Sequence, residues 1–274
     1  MKLLTVPNLI TLANLGCGCI AIVFAFQGNL IWSAYLVGIA AVLDFLDGFA
    51  ARALKQFSPI GKDLDSLADM VTFGVVPGVV MYKLLELSFF SEHLKSTSFD
   101  LNQFGTYANP ANFVSSPIIY VGFLITLFSA LRLAKFNNDS RQTDSFIGLP
   151  TPANSIFICS LPLILGSDVS YELNGSGALK LMALDSNLFA SLYVSPWFLL
   201  AITVVFSLLL ISEIPLFSLK VKSFRWKGNE LRYSFLAASV LMLVLLKFVA
   251  LPLIIVLYVL LSVINNLVKP KPKS

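Results

Sequence analysis

Four aspartates carry the chemistry open to this chain. They stand in two stretches, Asp44-Phe-Leu-Asp47-Gly48-Phe-Ala-Ala51-Arg52 and, eight residues later, Gly61-Lys-Asp-Leu-Asp65-Ser-Leu-Ala-Asp69. The sequence around them is otherwise apolar, and ionisable groups at membrane depth are costly enough to mark functional sites. Asp44 and Asp47 are three apart and Asp65 and Asp69 four apart, so each pair shares one helical face. Pro59 and Gly61 predict a turn near position 58. Asp47 lies eleven residues before that point and Asp69 eleven after it, so antiparallel helices bring all four carboxylates to a similar depth.

Like charges so close repel, and an all-anionic cluster needs cations within it. Hard oxygen ligands suit Mg²⁺, Mn²⁺ or Ca²⁺ and argue against zinc, which prefers His and Cys. Two divalent cations about 3.5–4 Å apart could clamp a phosphate and stabilise both attacking and leaving oxygens. Gly48 leaves room for a ligand to approach the backbone, and Arg52, one turn on, offers a planar fork for phosphate. Phosphoryl transfer is the chemistry these parts describe. Acidic residues at helix ends are often only solvated, but that reading predicts scatter, not paired spacing beside a Gly and an Arg. Asp63 fits neither face and reads as a solvated loop residue.

The elements that must position these residues are membrane helices. Of 274 residues, 57% are apolar and 12% charged, against roughly 45–50% and about 25% in soluble domains. Windows long enough to span a bilayer fall near 9–26, 30–50, 65–87, 113–135, 152–167, 196–216, 233–249 and 251–267. The expected fold is therefore an all-α polytopic bundle of about eight spans, forming one integral membrane domain over 1–274. Residues 233–267 could instead form one long helix broken near Lys247 and Pro252. An even count puts both termini on one side. Fifteen of the nineteen Lys and Arg then fall on the side of the termini and the 51–64, 132–148 and 217–232 loops, which makes that side cytoplasmic. Anionic headgroups attract such loops, so the net charge of +4 needs no nucleic-acid partner. The N-terminus, with Pro7, Asn8 and Asn14 interrupting its apolar run, reads as retained and not as a signal peptide.

Several polar residues outside the cluster have both a structural and a functional reading. Asn8, Thr11 and Asn14 form a polar stripe on the first helix that should face the bundle; it serves interhelical hydrogen bonding, or Asn8 and Thr11 border a nucleotide pocket. Arg132 and Lys135 end the fourth span, where they either anchor the helix by snorkelling or receive the carboxylate of an amino-acid acceptor. Thr151 and Pro152 predict a helix start. Cys17, Cys19 and Cys159 read as small buried hydrophobes. His93 falls in a polar loop without a partner at metal spacing.

The pattern Asp-x2-Asp-Gly-x2-Ala-Arg-x8-Gly-x3-Asp-x3-Asp, complete from Asp44 to Asp69, resembles the signature of the CDP-alcohol phosphatidyltransferases. The resemblance implies that Asp44, Asp47, Asp65 and Asp69 hold two divalent cations, Mg²⁺ or Mn²⁺. It further implies that Gly48, Ala51, Arg52 and Gly61 contact the CDP group and that Asp69 is the general base. Asp69-Met-Val-Thr72-Phe-Gly74-Val-Val-Pro77, Ala130-Leu-Arg132-Leu-Ala-Lys135-Phe-Asn137 and Phe146-Ile-Gly148-Leu-Pro150-Thr151-Pro152-Ala153-Asn154 resemble the membrane-embedded phosphatidylserine synthases of bacteria and archaea. That likeness runs through about residue 165, a catalytic core followed by additional spans over 166–274. It implies CDP-diacylglycerol as donor and L-serine as acceptor, with Arg132, Lys135 and Asn137 toward serine. It also implies a homodimer in a prokaryotic cytoplasmic membrane with its site on the cytoplasmic side. Acceptors such as glycerol 3-phosphate or an inositol phosphate should need a denser basic pocket. A cation-coupled transporter would place carboxylates near the bilayer midplane and often show internal repeats.

Overall fold

The computed structural model describes residues 4–96, 117–139, 146–168, 171–173, 179–181, 195–217 and 229–268. Helix dominates these residues. Helix α1 (Val6–Phe26) starts at Thr5, whose side chain accepts from the Asn8 amide, with Pro in its first turn. Helix α2 (Leu30–Ala53) starts at Asn29, which accepts from the Trp32 amide. Gly28, at φ +81, makes the sharp connection between them, and α1 and α2 pack as an antiparallel pair. After Lys55, also at positive φ, Ser58 caps α3 (Pro59–Asp69) by accepting from the Gly61 amide at 3.0 Å. The expected turn is therefore at 54–58, and Gly61 lies inside the first turn of α3.

From α3 the chain runs through a π-helical turn (Met70–Val75) directly into α4 (Val76–Ser96). His93, expected in a loop, belongs to this helix. A 3-10 segment (Pro117–Phe123) leads into α5 (Leu124–Asn138), followed by α6 (Thr151–Asp168), α7 (Pro196–Ile211), α8 (Glu230–Leu246) and α9 (Ala250–Val268). Extended pairing among the described residues is minor: Phe146–Ile147 pairs with Pro215–Leu216, and Tyr171–Leu173 with Leu179–Leu181.

Five helical runs are long and apolar enough to cross a membrane: Val6–Phe26, Leu30–Ala53, Pro59–Phe89, Pro117–Asn138 and Glu230–Val268. Thr151–Ile164 and Pro196–Ile211 are shorter apolar helices. The last long run is a hairpin: Phe235 on α8 and Tyr258 on α9 bring their rings to 5.7 Å. It folds back at Lys247, which holds φ 50 and ψ −122. Lys2, Arg141, Lys220, Lys222, Arg225, Lys227, Lys269, Lys271 and Lys273, much of the charge used to orient the chain, lie outside the described residues.

On α2, Ile39, Val42, Phe45 and Phe49 are exposed while Val37, Ala40 and Asp47 are buried. Large apolar side chains thus face outward, as in lipid, and the small and acidic ones face the bundle. Glycines permit the closest approaches. A Cβ on Gly18 would sit 2.4 Å from Thr72 Oγ1, and one on Gly78 would sit 2.1 Å from Thr126 Oγ1. These contacts lock α1 and α5 against the run that carries Asp65 and Asp69.

Candidate active site

The hairpin of α2 and α3 brings the acidic pairs together as their spacing predicts. Asp44, Asp47 and Asp65 each offer a carboxylate oxygen, and these three atoms lie within 4.8 Å of one another. Asp69, one turn after Asp65 on α3, interacts electrostatically with Asp44, Asp65 and Asp47. Helix α1 adds a fourth wall: Thr11 donates its hydroxyl to Asp47 Oδ2 at 2.6 Å. Thr11 and Asn8 are both buried, so the polar stripe faces the site.

The donor set fits divalent cations. Lys83 pairs with Glu86 and Lys135 with Glu213, and none of the four aspartates takes part in either ion pair. Asp69 Oδ1 is buried and without a hydrogen-bond partner. Clustered carboxylates without an ion-pair partner are a ligand set that hard cations suit.

A cavity of about 510 Å³ opens beside the cluster. Pro7, Asn8 and Thr11 of α1, Asp47, Gly48 and Ala51 of α2, and Gly61, Lys62 and Asp65 of α3 line it, with Gln56, Phe57 and Ser58 of the connecting turn. Gly48 keeps its wall low: the Arg52 guanidinium lies 3.7 Å from where a Cβ would be. A Cβ on Gly61 would meet Asn8 Oδ1 and Ser58 Oγ, each at 3.1 Å. The cavity is large enough for a nucleotide head. Lys62, Gln56 and Phe57 were not singled out from the sequence; the position of Gln56 and Phe57 between Arg52 and Gly61, and of Lys62 directly after Gly61, was the available signal.

Arg132, Lys135 and Asn137 diverge. The Arg132 side chain is buried, donates Nε–H to the Leu149 carbonyl at 3.2 Å, lies 4.8 Å from the Phe136 ring centroid and faces the charge of Asp69. Lys135 pairs instead with Glu213. Asn137 donates to Ser66 Oγ at 2.9 Å and lines a separate cavity of about 360 Å³ with Asp63, Ser66, Leu67 and Met70. The segment that receives Arg132 is itself fixed: Gly148, at φ +75, and Leu149 donate their amides to Ile214 and Leu209 carbonyls at 2.9 Å.

Residues 4–209 match the CDP-alcohol phosphatidyltransferase family. The chain belongs to that family. Its match extends past residue 165, into α7. Among curated relatives, it is 31% identical over 147 residues to the CDP-diacylglycerol–serine O-phosphatidyltransferase of Bacillus subtilis, covering 54% of this chain and 69% of that protein. A Helicobacter pylori protein of the same name is 31% identical over 154 residues, 56% of this chain and 54% of its own length. The CDP-diacylglycerol–glycerol-3-phosphate 3-phosphatidyltransferase of Aquifex aeolicus is 34% identical over 181 residues, 63% of this chain and 96% of that protein. The chain thus spans only about half of the Helicobacter relative. As a CDP-alcohol phosphatidyltransferase it is a membrane transferase of phospholipid biosynthesis, and the carboxylate cluster stands where the family signature falls.

Proposed function

We propose that this CDP-alcohol phosphatidyltransferase transfers the phosphatidyl group of CDP-diacylglycerol to L-serine, giving phosphatidylserine and CMP. The observation that carries the reading is the cluster of Asp44, Asp47 and Asp65, whose carboxylate oxygens lie within 4.8 Å of one another, on the wall of the nucleotide-sized cavity. Asn8, Thr11, Gly48, Ala51, Arg52 and Gly61 receive the CDP group. Asp44, Asp47, Asp65 and Asp69 would hold two Mg²⁺ or Mn²⁺ ions, which supply positive charge to the diphosphate. Asp69 takes the proton from the serine hydroxyl, whose oxygen attacks the lipid-side phosphorus. The bond to the CMP oxygen breaks, and Arg52 faces the departing charge. Arg132 reads the serine carboxylate, while Lys135 and Asn137, through Glu213 and Ser66, hold the end of α5 that presents it.

In this reading α1, α2, the continuous α3–α4 run and α5 to α9 make eight crossings of a prokaryotic cytoplasmic membrane. Both termini and the site lie on the cytoplasmic side, residues 166–274 add spans to the catalytic core, and two copies form a homodimer. A glycerol 3-phosphate acceptor is the second reading, favoured by the name of the Aquifex relative. Detergent-purified protein supplied with CDP-diacylglycerol, Mn²⁺ and each candidate alcohol separates them by CMP release. Serine-dependent release is expected. Preference for glycerol 3-phosphate would overturn the serine assignment, and no release with any alcohol would overturn the transferase reading. Asp69→Asn should lower turnover by about 10²–10⁴-fold, the contribution of a general base, with CDP binding retained.

A further inference from the structure

Asn14 is the deepest member of the polar stripe on α1, and none of the roles above uses it. Its side chain is fully buried, and neither Oδ1 nor Nδ2 has a hydrogen-bond partner. Asn and Gln side chains left this way in a protein interior are costly, because the amide has lost water and gained nothing.

Three contacts fix where that amide lies. Thr11, one turn before Asn14 on the same face, donates to Asp47. Since α1 and α2 are antiparallel, moving three residues forward on α1 corresponds to three back on α2, which sets Asn14 level with Asp44. On its other side, Gly18 touches Thr72, and Thr72 Oγ1 donates to the Asn14 carbonyl at 3.2 Å. The contacts of Asn8 with Gly61 and of Gly18 with Thr72 ascend together, so α1 runs parallel to α3 and the π-helical turn. Asn14 is four residues before Gly18 and Asp69 three before Thr72, each pair on one helical face. Asn14 and Asp69 therefore lie at one level on facing helices. Asp69 carries the other orphan of this layer, the buried Oδ1.

We propose that Asn14 is a positioning residue of the cation site: its Nδ2 donates to Asp69 Oδ1 when the aspartates turn to cations. As the cluster stands, both the Asn14 amide and Asp69 Oδ1 are left over. A cation drawn to the other oxygen of Asp69 would leave Oδ1 needing a donor, which Asn14 supplies from the floor of the site. Outer-shell donors of this kind fix the orientation of ligating carboxylates.

The inference rests on the cation reading of the four aspartates, and the test separates the two. Mn²⁺ is titrated into detergent-solubilised protein without substrate, with free Mn²⁺ followed by electron paramagnetic resonance and the melting temperature recorded with and without metal. Wild type should bind Mn²⁺ and melt higher with it. Asn14→Leu, similar in shape and apolar, should melt no lower than wild type without metal, since an orphaned amide is gone. It should bind Mn²⁺ roughly 10- to 100-fold more weakly, as for lost outer-shell partners, and its metal-induced rise should shrink. A purely structural Asn14 would instead lower the metal-free melting temperature and leave Mn²⁺ affinity unchanged, which would overturn the proposal. Should the Leu variant not fold, Asn14→Asp, which keeps the shape but loses the donor, is read by the same Mn²⁺ affinity. Ser207→Ala, which removes an orphaned hydroxyl on a helix carrying none of the site residues, should leave Mn²⁺ binding unchanged. Absence of Mn²⁺ binding in wild type would overturn the cation reading itself.

Discussion

Thr11 and Asp47, thirty-six residues apart, meet at 2.6 Å in a buried hydrogen bond from hydroxyl to carboxylate. This contact ties α1 to the acidic hairpin and sets the depth at which the remaining polar residues of α1 approach the site. Hydrogen bonds to charged groups contribute about 1.5–3 kcal/mol. Thr11→Val should therefore lower stability by about that amount and reduce CMP release, because Asp47 loses its only side-chain donor among the described residues. Thr11→Ser keeps the hydroxyl and should retain most of both. Thermal melting and CMP release measured on the two variants check this, and a larger loss in Thr11→Ser than in Thr11→Val would show that the methyl group, not the hydroxyl, matters.

Gly18 and Gly16 give opposite expectations for the same change. Replacing Gly by Ala inside a helix favours folding by about 1 kcal/mol. At Gly16 nothing lies within 4 Å of the new Cβ, so Gly16→Ala should stabilise the protein. At Gly18 the Cβ would meet Thr72 Oγ1 at 2.4 Å and Thr72 Cα at 3.1 Å. Backbone cannot swing aside as a side chain can, and overpacking costs typically about 1–3 kcal/mol. Gly18→Ala should therefore lower the melting temperature. It should also cut activity, because the displaced Thr72 sits one turn from Asp69.

The acidic cluster was legible because its parts are local. Two pairs at helical spacing on either side of one short turn need only the hairpin to bring them together, and no distant element changes that geometry. Gly61 was legible as a special position but for a different reason: the sequence suggests a turn, whereas the structure uses it to let α1 approach at Asn8. The pairing of Arg132 with Lys135 was misleading as a picture of geometry. Three residues apart on a helix, they share a face, yet Lys135 is drawn to Glu213, seventy-eight residues away, and Arg132 to Leu149. Such partners come from how α5, α6 and α7 pack, and no periodicity encodes them. The hairpin at 230–268 was undecidable by hydropathy for the same reason: its break is a single backbone conformation at Lys247 inside an unbroken apolar run.

That conformation yields a prediction about stability. Lys247 sits at φ 50 and ψ −122, a region glycine enters readily and other residues only with strain of about 1–3 kcal/mol. Lys247→Gly should raise the melting temperature while leaving CMP release unchanged, since the residue lies in the α8–α9 connection and lines neither cavity described. A fall in stability would mean that the Lys side chain contributes more than its backbone costs.

Arg132 and Lys135 should separate cleanly in kinetics. Arg132 is 4% exposed, its Nε is fixed to Leu149, its plane packs near Phe136, and it faces Asp69. In the serine reading, a guanidinium held this rigidly can take a carboxylate in two parallel hydrogen bonds, and lysine cannot reproduce that fork. Losing charged hydrogen bonds of about 1.5–3 kcal/mol corresponds to roughly a tenfold to hundredfold rise in the serine concentration needed. Arg132→Lys should show this rise in the KM for serine, with the KM for CDP-diacylglycerol little changed. Lys135 forms a partly exposed pair with Glu213, and such pairs contribute about 0–1 kcal/mol. Lys135→Gln should therefore raise the serine KM by less than about fivefold, and Glu213→Gln should do the same, because both remove the same ion pair. Measuring CMP release against serine concentration for the three variants decides the matter. A larger effect at Lys135 than at Arg132, absent from Glu213→Gln, would assign the serine carboxylate to Lys135 directly.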